Sequence, residues 1–182
     1  MKSSLGNPDF LIIGGGIFGC SIAWNLARRS SGSVLLLERR ELATATTPRA
    51  AGLIRNLNLK KGQTPLKTLT IEAISLLGDE LEETLQWHQA GGLLVAKSEA
   101  NIMHLETLER HAIEHRQKFQ WIDRTDAEEM VPWLDGASAG KFALLPDDGF
   151  IDPYLFTQFY ARAARKHGAL LKTGIEVTAL QN

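Results

Sequence analysis

A glycine-rich turn between an apolar strand and an amphipathic helix constrains this 182-residue chain more than any other feature. The run FLIIGGGIFGC, Phe10 to Cys20, carries GxGxxG as Gly14, Gly16 and Gly19, and Glu38 follows a second apolar run, Val34 to Leu37. In a dinucleotide-binding unit the first glycine makes the tight turn, the second lets backbone approach a pyrophosphate, and the third lets the helix pack closely on the strand. A helix starting near Gly16 aims free N–H groups and the positive end of its dipole at the phosphates, and Glu38 can accept hydrogen bonds from an adenosine ribose. The chemistry implied is binding of an ADP moiety. Context separates this from a ligand-free glycine turn: Ile17, Cys20, Ala23, Trp24 and Ala27 recur at helical spacing, and Arg28 and Arg29 close the helix.

Phe10 to Ala27 is also free of formal charge, long enough to raise the question of a membrane span. Gly14, Gly15, Gly16 and Gly19 inside one helix would each cost roughly 1 kcal/mol, whereas a strand, turn and helix make use of three of them. No membrane span is expected. A net charge of -1 and the lack of a basic run interleaved with aromatics give no reason to expect nucleic acid as a partner. The one cysteine, Cys20, falls on the packing face of the first helix, which suggests a reducing, cytoplasmic location.

After Glu38 the chain enters RRELATATTPRAAGLIRN, Arg39 to Asn56, instead of a simple βαβ repeat. Thr44, Thr46, Thr47 and Arg49 offer hydroxyls and a positive charge near the phosphate end, and Ala50, Ala51 and Gly52 allow backbone to approach a flat ring. A solvated loop with ordinary turn chemistry is the alternative. From Pro65 to about His88, Leu66, Leu69, Ala73, Leu77, Leu81 and Leu85 predict core-facing helix, in one piece or broken near Gly78. Leu93 to Ala96 predicts a strand, Asn101 to Lys118 a helix with Ile102, Leu105, Leu108 and Ala112 inward, and Trp121-Ile122 another strand. Thr125 to Glu128 reads as a capping box opening a short helix, before a strand at Lys141 to Leu145. Asp152 is placed as an N-cap with Pro153 at the first helical position. Leu155, Phe156, Phe159, Tyr160 and Ala163 line one face of that helix until Gly168, and strands at Ala169 to Lys172 and Ile175 to Leu180 follow.

In this order the pieces resemble the amino-terminal half of the FAD-dependent amine and amino-acid oxidoreductases, the family of D-amino-acid oxidase, glycine oxidase, sarcosine oxidase and sarcosine dehydrogenase. Besides the glycine motif and Glu38, TTPRAAGLIR at Thr46 to Arg55 is similar to the family's flavin-proximal loop. GGLLVA at Gly91 to Ala96 is similar to its first substrate-domain strand, and Pro146 to Ala169 to the segment returning to the FAD domain. The resemblance implies an α/β fold: a Rossmann-like FAD-binding domain at 1–90 and 151–182, with an incomplete α+β substrate domain at 91–150.

It further implies that Gly14, Gly15, Gly16, Ile17 and Gly19 meet the FAD pyrophosphate and that Glu38 and Arg39 lie at the adenosine end. Thr46 and Thr47 fall on the phosphate side, Ala51 and Gly52 near the flavin, and Val177 at the position whose backbone meets adenine. Some members link flavin to a histidine in a TTxHAAG-like loop; here Pro48 and Arg49 stand instead, so the expected cofactor is noncovalent FAD. The implied reaction is oxidation of the C–N bond of a small amine or amino acid of the glycine, sarcosine or D-amino-acid type. Because relatives are about twice as long, an incomplete chain is expected, working with a complementing chain or as a homo-oligomer. No catalytic residue can be named; Arg49, Arg55 and His88 read first as ordinary surface or phosphate-side groups.

Three other readings stay open. One is a noncatalytic FAD- or ADP-binding fragment. A second is an NAD-dependent dehydrogenase, which shares the first motif and Glu38 but not the TTPRAAG loop. The third starts from HAIEH, His111 to His115, which puts two imidazoles at i and i+4 as zinc hydrolases do. Its polar surroundings and the lack of an evident third ligand favour a solvated helix face, and no metal is expected. The pairs Asp147-Asp148 and Glu128-Glu129 are explained by turn and helix-start chemistry.

Overall fold

Val34 to Leu37 contains no polar side chain, and a parallel strand of that composition is stable only when both its faces are covered. The computed structural model describes residues 7–57, 59, 63–134 and 140–180. Its strands are β1 (Phe10–Ile13), β2 (Val34–Leu37), β3 (Leu53–Ile54), β4 (Gly92–Ala96), β5 (Gln120–Ile122), β6 (Lys141–Leu145), β7 (Gly149–Phe150) and β8 (Leu170–Lys172). Its α-helices are α1 (Ile17–Arg29), α2 (Gln63–Leu81), α3 (Glu99–Glu114), α4 (Arg124–Met130) and α5 (Pro153–Lys166). The described residues form two compact units, one drawn from 7–52, 74–86 and 152–180 and the other from 53–73 and 87–151.

The first unit is built on a parallel sheet in the order β1, β2, β8, with Phe10 opposite Val34, Ile13 opposite Leu37 and Leu35 opposite Leu170. All four residues of β2 are buried, as their composition requires. Helices α1 and α5 pack on each other through small residues, Cys20 and Ala23 among those of α1 and Ala161, Ala163 and Ala164 among those of α5 that are fully buried. Trp24 and Tyr160 fill the same layer with ring centroids 5.4 Å apart. The polar tip of Trp24 is satisfied, because Nε1 donates to Glu80 Oε2 at 2.8 Å. Burial pushes the Cys20 thiol up to about 12, so it stays protonated. On β1 only alternate residues are covered: Leu11 and Ile13 are 48% and 52% exposed, and among the described residues β2 is the strand's single neighbour.

The second unit holds an antiparallel sheet in the order β4, β6, β5, with Gly92 opposite Leu145 and Gln120 opposite Leu144. Helix α3 lays Leu105, Leu108 and Ala112 on Ala96, Ala143 and Leu145, and Leu57 completes that core. Ser98 caps α3 by accepting from the Asn101 N–H. The short pair β3 and β7 stands beside Asp148, which is only 4% exposed and accepts from the Asn56 N–H at 2.8 Å. No described helix is long and apolar enough to cross a membrane.

Several expectations need correction. Helix α2 runs through Gly78 without a break and stops at Leu81, seven residues early, where Glu82 turns to a φ of 55°. Of its apolar stripe Ala73 and Leu77 are buried and Leu81 is half-buried, but Leu66 and Leu69 are exposed. The N-cap of α4 is Asp123, whose carboxylate accepts from the Asp126 N–H two residues ahead of the expected box. Leu155 is exposed, whereas Phe156, Phe159, Tyr160 and Ala163 of the same expected face are buried. The stretch 175–180 forms no strand; one backbone bond, Ile175 N–H to Glu38 O, holds its start.

Burial raises the Asp148 carboxyl above the ordinary range, against the pull of the Asn56 N–H, Arg55 and Lys67. A raised carboxyl penalises folding above its folded pKa, and the penalty fades as pH falls through that value. Asp148→Asn, which keeps an acceptor for Asn56, is therefore expected to be at least as stable as the wild type at pH 7. Asp148→Ala strands the Asn56 N–H and is expected to cost about 1–3 kcal/mol. Urea unfolding at pH 7 and pH 5 checks both; equal losses in the two variants would contradict the assignment.

Candidate cofactor site

The end of β1 and the start of α1 are tied to β2 before any ligand is considered. The Gly14 N–H donates to Leu37 O at 2.8 Å, and Gly14 then turns at a φ of 105°, a conformation that side chains resist. A Cβ on Gly19 would run into the Gly14 carbonyl, so the helix reaches its distance from the turn only because residue 19 has no side chain. Gly16 is the N-cap of α1, in extended conformation.

Helix geometry leaves the first-turn N–H groups of α1 without partners inside the helix. The Ile17 N–H donates to Thr47 Oγ1 at 3.2 Å, which places the Thr47 hydroxyl at the helix N-terminus. Thr47 is held there by a single 3-10 turn, Thr47–Arg49, in which Pro48 presets the backbone. The preceding loop is pinned by the Ala43 N–H, which donates to Gly15 O at 2.9 Å while Ala43 adopts a φ of 60°.

Glu38 stands at the end of β2 facing the turn. Its Oε2 accepts from the Gly15 N–H at 2.7 Å and its Oε1 from the Arg40 N–H at 2.9 Å. Partial burial pushes this carboxyl up, but those two N–H donors and the Arg39 charge outweigh it and hold Glu38 below the usual carboxylate range. An ionised carboxylate has about four acceptor positions, so two remain for hydroxyl donors.

A cleft of about 510 Å³ opens where these parts meet. Of the residues singled out by sequence, Gly14, Gly16, Ile17, Gly19, Glu38, Thr44, Thr46, Thr47 and Ala50 line it. Gly15 is buried behind it and contributes through its bond to Glu38. Arg39 is exposed and lies 4.0 Å from Glu176. Ala51, Gly52 and Val177 are not among the lining residues, although Gly52 does adopt a φ of 70°. Sequence reasoning missed Ile13, Phe18, Glu41, Ala43 and Ala45 as lining residues. The small residues of LATATT were the available signal, but the left-handed turn at Ala43 has none. Arg55 acts on Asp148, and His88 stacks on Phe150 at 4.7 Å, both in the second unit.

The arrangement offers first-turn N–H groups and the Thr47 hydroxyl to an anion, and a carboxylate to hydroxyls at the end of the neighbouring strand. A depressed carboxyl contributes stability above its unfolded pKa, about 4.3, and that contribution is lost as pH falls through the folded value. Glu38→Gln is accordingly expected to lower the melting temperature at pH 7, with the gap to the wild type narrowing as pH falls from about 4.3 through the folded value. Thermal unfolding of both proteins from pH 3 to pH 7 checks this; a constant gap across the range would contradict it.

Residues 9–182 match the family model described as FAD dependent oxidoreductase. Human mitochondrial dimethylglycine dehydrogenase is 33% identical over 177 residues, which cover 95% of this chain and 20% of that protein. The solved L-proline dehydrogenase from P. horikoshii superposes with a TM-score of 0.86 at 25% identity, over 94% of this chain and 45% of that one. Glycine oxidase from Geobacillus kaustophilus gives a TM-score of 0.78 at 24% identity, over 93% of this chain and 47% of that one, and shows likeness of fold. The chain thus spans about one fifth of the curated dehydrogenase and under half of these two structures. With nearly its whole length matched, the chain belongs to the FAD-dependent oxidoreductase family.

Proposed function

We propose that this chain supplies the FAD-binding portion of an oxidoreductase acting on the C–N bond of a small amine or amino acid. The observation that carries the reading is the cleft in which the GxGxxG turn, the α1 N-terminus, Thr47 and Glu38 converge, within a chain of this family. The cradle fits FAD on its own terms, since the space a side chain would need at Gly19 is taken by backbone and Glu38 keeps free acceptor positions. In this reading the first turn of α1 and Thr47 bind the pyrophosphate, while Glu38 and Arg39 orient the adenosine end. Ala51 and Gly52 approach the flavin and Val177 the adenine. Bound FAD would accept two electrons as hydride from the carbon beside the substrate nitrogen. Arg49 at the histidyl-link position leaves the cofactor noncovalent.

Relatives named for dimethylglycine, sarcosine and 4-methylaminobutanoate support the substrate class, small amines and amino acids. The partner we propose is a complementing polypeptide that pairs with the edge of β1 left unpaired among the described residues and covers the exposed Leu11. A second copy of the chain is the competing occupant. For location we retain the cytoplasm on the strength of the lone, buried Cys20, although the human relative is named mitochondrial. Fractionation of the native host, with the chain found in an organelle, would overturn that.

Expression with excess FAD followed by gel filtration is expected to give a yellow protein with near-stoichiometric flavin, colourless when Gly19→Ala is introduced. Acid should release the flavin without peptide cleavage. Colourless but folded wild-type protein would refute flavin binding by the chain alone. Bleaching by sarcosine or glycine without oxygen would establish activity, and retained flavin that no amine reduces would favour the noncatalytic reading. The same column reads size, with a dimer favouring a second copy over a separate polypeptide.

A further inference from the structure

The last turn of α3 gathers three metal-ligating side chains that the reading above does not use. His111, Glu114 and His115 stand at i, i+3 and i+4, which places them on one helical face. One donor atom from each lies within 4.8 Å of the other two. His111 Nδ1 and Glu114 Oε2 are 3.5 Å apart, close to the edge of a tetrahedron built on bonds of about 2.1 Å. The imidazole rings meet edge to face with centroids 4.3 Å apart. Both histidines are half-buried while Glu114 is open to solvent, its side chain 72% exposed, so an ion has a path in and room for water.

The third ligand that HAIEH lacked as a sequence is the glutamate inside the motif. Two further features favour a cation at this place. The site ends α3, with His115 as its C-cap, and the negative end of a helix dipole attracts positive charge. Arg110, the cation one residue before His111, directs Nη2 to Thr107 Oγ1 at 3.0 Å.

We propose that His111, Glu114 and His115 form a binding site for a divalent ion of the zinc class, with solvent completing the coordination. Two imidazoles and one carboxylate suit Zn²⁺, Ni²⁺ and Cu²⁺ and suit Ca²⁺ or Mg²⁺ poorly. Bound metal links the last turn of α3 to its own C-cap and stabilises the folded chain by mass action. The site lies in the second unit, and the proposal does not rest on flavin binding.

Titration calorimetry of the tag-free 182-residue chain with ZnCl₂ tests it, with CaCl₂ as the control ion. One saturable Zn²⁺ site per chain is expected. Loss of an outer-shell partner already weakens metal sites by about 10–100-fold, so His115→Ala and His111→Ala should each weaken binding at least about tenfold. Glu114→Gln, at an exposed position, keeps the test intact where a histidine variant fails to fold. His104→Ala, elsewhere on α3, should bind as the wild type does. Electron paramagnetic resonance of the Cu²⁺ form should show two imidazole nitrogens, and one in His115→Ala. Failure to saturate, affinity unchanged in folded His115→Ala and Glu114→Gln, or equal weakening by His104→Ala would overturn the site.

Discussion

Four hydrogen bonds of one residue hold the turn, the sheet and the returning chain of the first unit together. The Glu38 carboxylate takes the N–H of Gly15 and of Arg40, its own N–H donates to Lys172 O, and its carbonyl accepts from Ile175. The bond to Gly15 holds the turn after β1, and those to Lys172 and Ile175 fix the segment that follows α5, more than 130 residues later in the chain. A carboxylate there serves the apo fold first, since uncompensated N–H groups in so tight a turn would be costly. Its spare acceptor positions then face the cleft without further rearrangement. Structure and site share the same atoms, which is why they are hard to separate by substitution at this residue.

The second unit depends on a different economy. Its main apolar cluster lies between α3 and the sheet, and polar groups tie the stretches beside its short strands together. Asn56 donates from its backbone to Asp148, while its side chain bonds Gln117 and accepts from Thr68. These links connect stretches far apart in sequence, and each has a named partner. An internal network of this type is stabilising only when complete, and it specifies one arrangement of the short strands more firmly than apolar contacts between two-residue strands could.

Legibility in sequence followed how local each cause was. Strand β2 could be read from four successive apolar residues, and α5 from Asp152, Pro153 and a stripe ending near Gly168, because caps and periodicity act within a few residues. The turn at Gly14 and the close approach at Gly19 were legible for the same reason. Leu66 and Leu69 were not, since their spacing continues that of the buried Ala73 and Leu77, and spacing alone does not say where along a helix its cover stops. The stretch 175–180 alternates like a strand, yet its fate depends on a neighbour, which no local pattern encodes. Asp123 and Thr125 are both good caps, and only the geometry of the incoming strand chooses between them. Ala43 in a left-handed turn had no signal at all, because it is imposed by the bond between its N–H and Gly15.

Cys20 lies under the turn, fully buried, with its sulfur 3.6 Å from the Gly15 carbonyl. Thiol reagents attack the thiolate, and this one is both shielded and kept protonated. Alkylation therefore waits for a local opening of the layer between α1 and the sheet. The chain's single thiol is in that sense a built-in clock, its labelling rate counting how often the native turn comes undone.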